Sequence, residues 1–82
     1  MVQLWPHMNV FHNVASGLKL RRVSKTDIAR KVGQALEFVG LPGMEKRSPA
    51  QLSAGQQQRV TLARALVDGI HASRKVSGTE AA

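Results

Sequence analysis

Apolar residues recur along this chain at helical spacing. Val10, Val14 and Leu18 fall at i, i+4 and i+8, with Phe11 and Ala15 beside them, which predicts a helix over about residues 10–20. Asn9 stands just before that stripe and has a side chain suited to accept from first-turn amides, so it is the expected N-cap. Gly17 lies inside the stripe at a cost of about 1 kcal/mol relative to Ala, so this helix is weak or needs close packing there. A cleaner stripe follows, made by Ile28, Val32, Ala35, Leu36 and Val39, with Lys25, Arg30, Lys31, Gln34 and Glu37 on the other side. Ser24 and Asp27 form its capping box, with Asp in place of the usual Glu or Gln. Gly40 is the expected C′ residue, and Pro42 prevents a restart.

The third stripe is Val60, Ala63 and Val67, widened by Leu62 and Leu66. Ser53 and Gln56 supply a capping box at its start, and Gly69 is the expected end. The opening "MVQLWPHM", broken by Pro6, reads as loop. The connector "GLPGMEKRSPAQ" has room for one helical turn near residues 44–47. The closing "IHASRKVSGTEAA" lacks periodicity, so residues 69–82 are expected to form a disordered tail after an ordered unit over 1–68. The expected fold class is all-α, with three helices.

Composition narrows the possibilities. At 82 residues there is room for one small domain, and a chain of this size buries only about 60% of its unfolded surface, so stability is marginal. The absence of Cys removes disulfides and thiolate metal sites. His7, His12 and His71 are too few and too badly spaced for a zinc site, and no metal ligands are expected. No apolar run approaches the roughly 18 residues of a membrane span, and the N-terminus has neither the basic nor the apolar region of a signal peptide. The net charge is +7, with clusters at Lys19/Arg21/Arg22, Arg30/Lys31, Lys46/Arg47 and Arg74/Lys75. Two readings of that charge stay open: anionic partners, or solvated helix faces of a piece whose acidic complement lies elsewhere.

The chemistry concentrates in "QLSAGQQQRVTLARALV", Gln51 to Val67. The first amides of a helix lack intrahelical partners and carry the positive end of the helix dipole, so an anion is a natural guest. Ser53 caps the helix or donates outward, Ala54 and Gly55 leave little side chain in the way, and Gln56, Gln57 and Gln58 add amides without negative charge. On physical grounds alone the same features also describe an ordinary Ser-capped helix start.

Residues Leu52 to Leu66, "LSAGQQQRVTLARAL", resemble the signature motif (usual form LSGGQ) and following helix of ATP-binding cassette (ABC) transporter ATPases. "LWPHMNVFHNVASGLKLRRVSK", Leu4 to Lys25, is similar to the stretch after that family's Q-loop, most of all in importers of sugars, polyamines or iron. "ALEFVGLPGMEKRSPAQLS" is similar to the run leading to the signature. The resemblance covers residues 4–67 and implies the helical subdomain of an otherwise α/β nucleotide-binding domain. It implies that Ser53, Ala54, Gly55 and Gln56 meet the γ-phosphate of ATP held by a second ABC ATPase subunit, with Leu52 packed behind. It also implies that Leu4, Trp5, Pro6, His7 and Met8 lie near the groove for the coupling helix of transmembrane permease subunits, at the cytoplasmic face of the cell membrane.

The departures from the family pattern are as informative. There is no GxxxxGK[ST] and no apolar strand ending in Asp-Glu after Val67, so Walker A and Walker B are both missing. The D-loop and the switch His are absent too. The Q-loop glutamine would fall just before Met1, so Gln3 is not that residue. Ala54 replaces the first Gly of the motif, and His12 stands where the family often has Glu, removing a capping partner for Asn9. The chain is therefore expected to share ATP only across a dimer interface, with Mg supplied by segments it lacks, and to have no catalytic residue and no ATPase activity alone.

Two other classes remain. Gln56 to Arg59 near a helix start could pass for a DNA-recognition helix, although the connector from Gly40 to Leu52 far exceeds the 3–4-residue turn of a helix-turn-helix, which disfavours nucleic acid. A protein-interaction module competing for the dimer interface or the coupling helix fits the same residues. Whichever applies, a marginal or molten three-helix cluster prone to association is expected.

Overall fold

The computed structural model describes the backbone of residues 4–81 and the side chains of residues 4–69. Its elements are α1 (Val10–Leu20), α2 (Lys25–Phe38), a short 3₁₀ turn (Pro49–Gln51) and α3 (Ala54–Ala81). No strand occurs among the described residues. The all-α, three-helix reading is thus what the backbone adopts.

Each helix starts where its cap dictates. The Asn9 side chain accepts from the His12 amide at 2.8 Å, and the Ser24 hydroxyl accepts from the Asp27 amide at 3.2 Å. The Arg30 guanidinium bonds Asp27 at 3.1 Å, and together with Ser24 it holds this carboxyl below its ordinary value. The two helix ends are also alike. At the end of α2, Leu41 N–H donates to Leu36 C=O and Gly40 N–H to Glu37 C=O, with Gly40 at φ 78°. This is a Schellman closure, and the buried pair Leu36 and Leu41 supplies its usual apolar contact. At the end of α1, Val23 N–H reaches Leu18 C=O and Arg22 N–H reaches Lys19 C=O, with the non-glycine Arg22 at φ 58°.

The three stripes pack on one another. Val10, Val14 and Leu18 of α1, Ile28, Val32 and Leu36 of α2, and Val60, Ala63 and Val67 of α3 are all buried, joined by Leu41 and Leu52 from the connector. Leu62, expected to widen the α3 stripe, is instead 51% exposed. Gly17 makes close packing possible. A Cβ there would fall on the Asp68 carboxylate of α3, so the small residue lets α1 and α3 approach.

The connector is ordered by hydrogen bonds to the helices. Its carbonyls at Arg47 and Glu45 accept from the first amides of α1, Val10 at 2.8 Å and Phe11 at 2.9 Å. The expected turn near 44–47 is present, closed by Arg47 N–H to Met44 C=O at 3.1 Å. The 3₁₀ turn was not foreseen. Its signal is Ser48-Pro49 with Gln51 two residues on, the Gln51 side chain accepting from Ser48 N–H at 2.9 Å.

One boundary needs correcting. The α3 backbone continues through Gly69, the expected stop, to Ala81. A lone glycine weakens a helix by about 1 kcal/mol without ending it, and no Pro follows it. The disordered tail expected over 69–82 falls, apart from Gly69, outside the residues whose side chains are described.

Candidate nucleotide-contacting site

The site is the start of α3, and its local chemistry is reciprocal. Ser53 Oγ accepts from Gln56 N–H at 3.1 Å, and Gln56 Oε1 accepts from Ser53 N–H at 2.9 Å. The capping box read from the sequence is therefore formed in full. Ser53 C=O accepts the first intrahelical bond, from Gln57 N–H at 2.9 Å. Among the described residues this leaves the amides of Ala54 and Gly55 with no protein acceptor, at the positive end of a long helix.

Those amides face solvent. Ser53, Ala54 and Gly55 are exposed and Gln56 is half-buried, whereas Leu52 turns inward and is buried. A Cβ added at Gly55 would meet nothing within 4 Å. Glycine here is not demanded by this chain's own packing, in contrast to Gly17. Behind the site, Gln57 Nε2 donates to Pro49 C=O at 2.8 Å, which fixes the 3₁₀ turn against α3. The side-chain amides of Gln56 and Gln57 are thus both engaged within the chain, and the recognition-helix reading loses two of its base-reading groups.

The second predicted group, Leu4 to Met8, forms a loop held against α1 by Asn13 and against α3 by Arg64. Trp5, Pro6 and His7 are exposed; Leu4 and Met8 are half-buried. Met8 N–H closes a turn onto Trp5 C=O at 3.1 Å. The Trp5 ring lies under the guanidinium of Arg64 on α3, 4.7 Å from the ring centroid. The two predicted groups therefore meet the same helix at different heights rather than forming one cluster.

Two residues of this arrangement escaped the sequence reading. Asn13 is fully buried: its Oδ1 accepts from Trp5 N–H at 2.7 Å, and its Nδ2 faces the carbonyls of Trp5, Met8 and Asn9 at 3.2, 3.1 and 3.0 Å. Arg64 is only 6% exposed. Burial pulls its guanidinium pKa down and the nearby Asp68 charge opposes that, leaving it a cation. The signal was available in both cases. Asn13 follows Val10 by three, and Arg64 follows Val60 by four, so each is a polar residue on an apolar stripe.

Comparison with known proteins gives the family. Residues 1–71 match the family model described as ABC transporter. The chain is 57% identical over 65 residues, 79% of its own length and 17% of the relative's, to the spermidine/putrescine import ATP-binding protein PotA of Rubrobacter xylanophilus. The same identity and coverage hold for the protein of that name from Acidothermus cellulolyticus. The chain thus spans 17% of the length of these relatives. With the family model covering most of the chain, and with the signature-like pentapeptide at the solvent-facing start of α3, this chain belongs to the ABC transporter family.

Proposed function

We propose that this chain is the signature-bearing helical part of the ATP-binding subunit of an ABC importer, with polyamines such as spermidine and putrescine as cargo. The cargo rests on the names of its relatives. The observation that carries the site is the open front of α3: among the described residues, the amides of Ala54 and Gly55 have no protein acceptor and no atom lies within 4 Å of a Cβ placed at Gly55. The chemistry of this donor set fits a phosphate oxygen. In this reading Ser53 and Gln56 set the cap, Ala54 and Gly55 present their N–H groups to the γ-phosphate of ATP held by a second subunit, and Leu52 anchors the loop in the core. Ala54, exposed and standing where the family motif has Gly, adds a methyl beside its own amide. The nucleotide's metal and water-activating groups belong to sequence that this chain does not contain. Permease subunits meet the Leu4–Met8 loop at the cytoplasmic membrane face; among the described residues no helix is long and apolar enough to cross a membrane itself.

The test is a chimera in which residues 4–67 replace the matching stretch of the Rubrobacter xylanophilus subunit. Assembled with its permease, the chimera is expected to hydrolyse ATP. Gly55→Asp puts a carboxylate where the phosphate approaches and should lower the rate by about 100-fold or more, the scale of losing a donor to a reacting oxyanion. The 82-residue chain alone should show no turnover. Equal rates with and without Gly55→Asp would refute the assignment.

A further inference from the structure

The loop and the signature helix are bolted together by two buried polar side chains. Asn13 is an unusual residue to find fully buried on an apolar stripe, and an unpaired amide there would be costly. It is retained with an acceptor and a donor both engaged, and every bond goes to the backbone of the segment from Trp5 to Asn9. Asn13 therefore fixes the path of that segment on α1. Arg64 then ties the segment to α3, through the face of Trp5 at 4.7 Å. Arg64 lies ten residues after Ala54 on one uninterrupted helix, about 15 Å along its axis. Close packing at Gly17 and Asp68 secures α3 to α1 one helical turn further on.

From this we infer that Asn13 and Arg64 are positioning residues that make the Trp5–Asn9 segment and the α3 N-terminus move as one body, so that a push on the segment is delivered to the Ala54 and Gly55 amides. The inference rests on the reading of the two ends as permease-facing and phosphate-facing. Neither side chain touches nucleotide. Each acts through another group: Asn13 through the backbone of the segment, and Arg64 through the indole ring and the helix it belongs to. A segment held only by apolar contact could slide against α3. A guanidinium on an aromatic face, backed by four hydrogen bonds to the segment's backbone, resists sliding because any displacement strands buried polar groups.

The mechanical link is read first in the 82-residue chain, where Trp5 is the sole tryptophan. Arg64→Met should uncover the ring and shift its emission to the red with the far-ultraviolet helix signal unchanged, and Arg64→Lys should largely restore the emission. Asn13→Asp keeps the acceptor for Trp5 N–H but removes both donors, and should give the same red shift. The functional link is read in the chimera with its permease, as the ratio of cargo-stimulated to basal ATPase. Arg64→Met should lower that ratio about threefold or more with basal turnover kept, and Arg64→Lys should recover it. A substitution that merely unfolded the subunit would lower both rates together; Asn13→Asp and Arg64→Lys then carry the comparison. An active chimera whose ratio is unmoved by all three substitutions overturns the inference. A chimera without any ATPase overturns the reading beneath it, while the emission shifts still decide whether the bolt exists.

Discussion

Arg22 is the residue at which local chemistry and backbone disagree most. Its φ of 58° lies in the left-handed region, where a Cβ crowds the following carbonyl at a cost of about 1 kcal/mol or more. The equivalent position after α2 is Gly40, which has no such penalty. Both helix ends make the same pair of backbone bonds, so the sequences differ where the geometry does not. Arg22→Gly should therefore stabilise the chain by about 0.5–1 kcal/mol, read as a higher urea midpoint with unchanged slope. A lower midpoint would mean that the exposed guanidinium makes a contact worth more than the strain. At this scale the caps were legible. Asn9 sits directly before its apolar stripe, Ser24 and Ser53 each stand three residues before the partner of a capping pair (Asp27, Gln56), and a cap depends only on near neighbours in sequence. The Arg22 closure was not legible, because nothing in an arginine announces positive φ.

Between elements, legibility depends on range. The start of all three helices and the ends of α1 and α2 could be read, since periodicity and Gly40 are local signals. The carbonyl caps given to α1 by Glu45 and Arg47 could not, because they join residues more than thirty positions apart, whereas the 3₁₀ turn, missed as well, rests on the local Ser48-Pro49 and Gln51 signal. Gly17 falls between these cases. Its presence in a helix signalled close approach, but its partner, Asp68, lies on another helix. That pairing gives a double-mutant prediction. In the native background, Gly17→Ala should gain nothing or lose stability, because the new methyl must displace the Asp68 carboxylate and loosen its 3.7 Å pairing with Arg21. In an Asp68→Ala background the obstruction is gone, and the same change should gain about 0.5–1 kcal/mol from helix propensity alone. Thermal melts of the four proteins close the cycle, and strict additivity would show that α1 and α3 are not in contact at this point.

For the whole molecule, the three stripes suffice to enclose a core, but they do not cover every apolar side chain. Phe38 is 78% exposed and Leu20 86% exposed. A groove of about 250 Å³ opens between α2 and α3, floored by Ala35, Phe38, Leu66 and Val67 and edged by Arg30, Lys31 and Gln34. In relatives several times longer than this chain there is ample further sequence to lie over such surface; the isolated chain has only solvent or another copy of itself. Its net charge of +7 opposes self-association through long-range repulsion, which salt screens within about 8–10 Å at 0.1–0.15 M. Burial of apolar surface is not screened. The chain should therefore associate more as salt rises: sedimentation should show an average mass that grows with concentration at 0.3 M salt and stays near that of the 8.9 kDa monomer at low salt. Phe38→Ser should suppress the growth, since it removes the most exposed large side chain of the groove, whereas Leu20→Ser, on α1 and away from the groove, should not. A monomer at every concentration and salt, melting in one sharp two-state transition, would mean that the three-helix core is stable without its exposed face being covered.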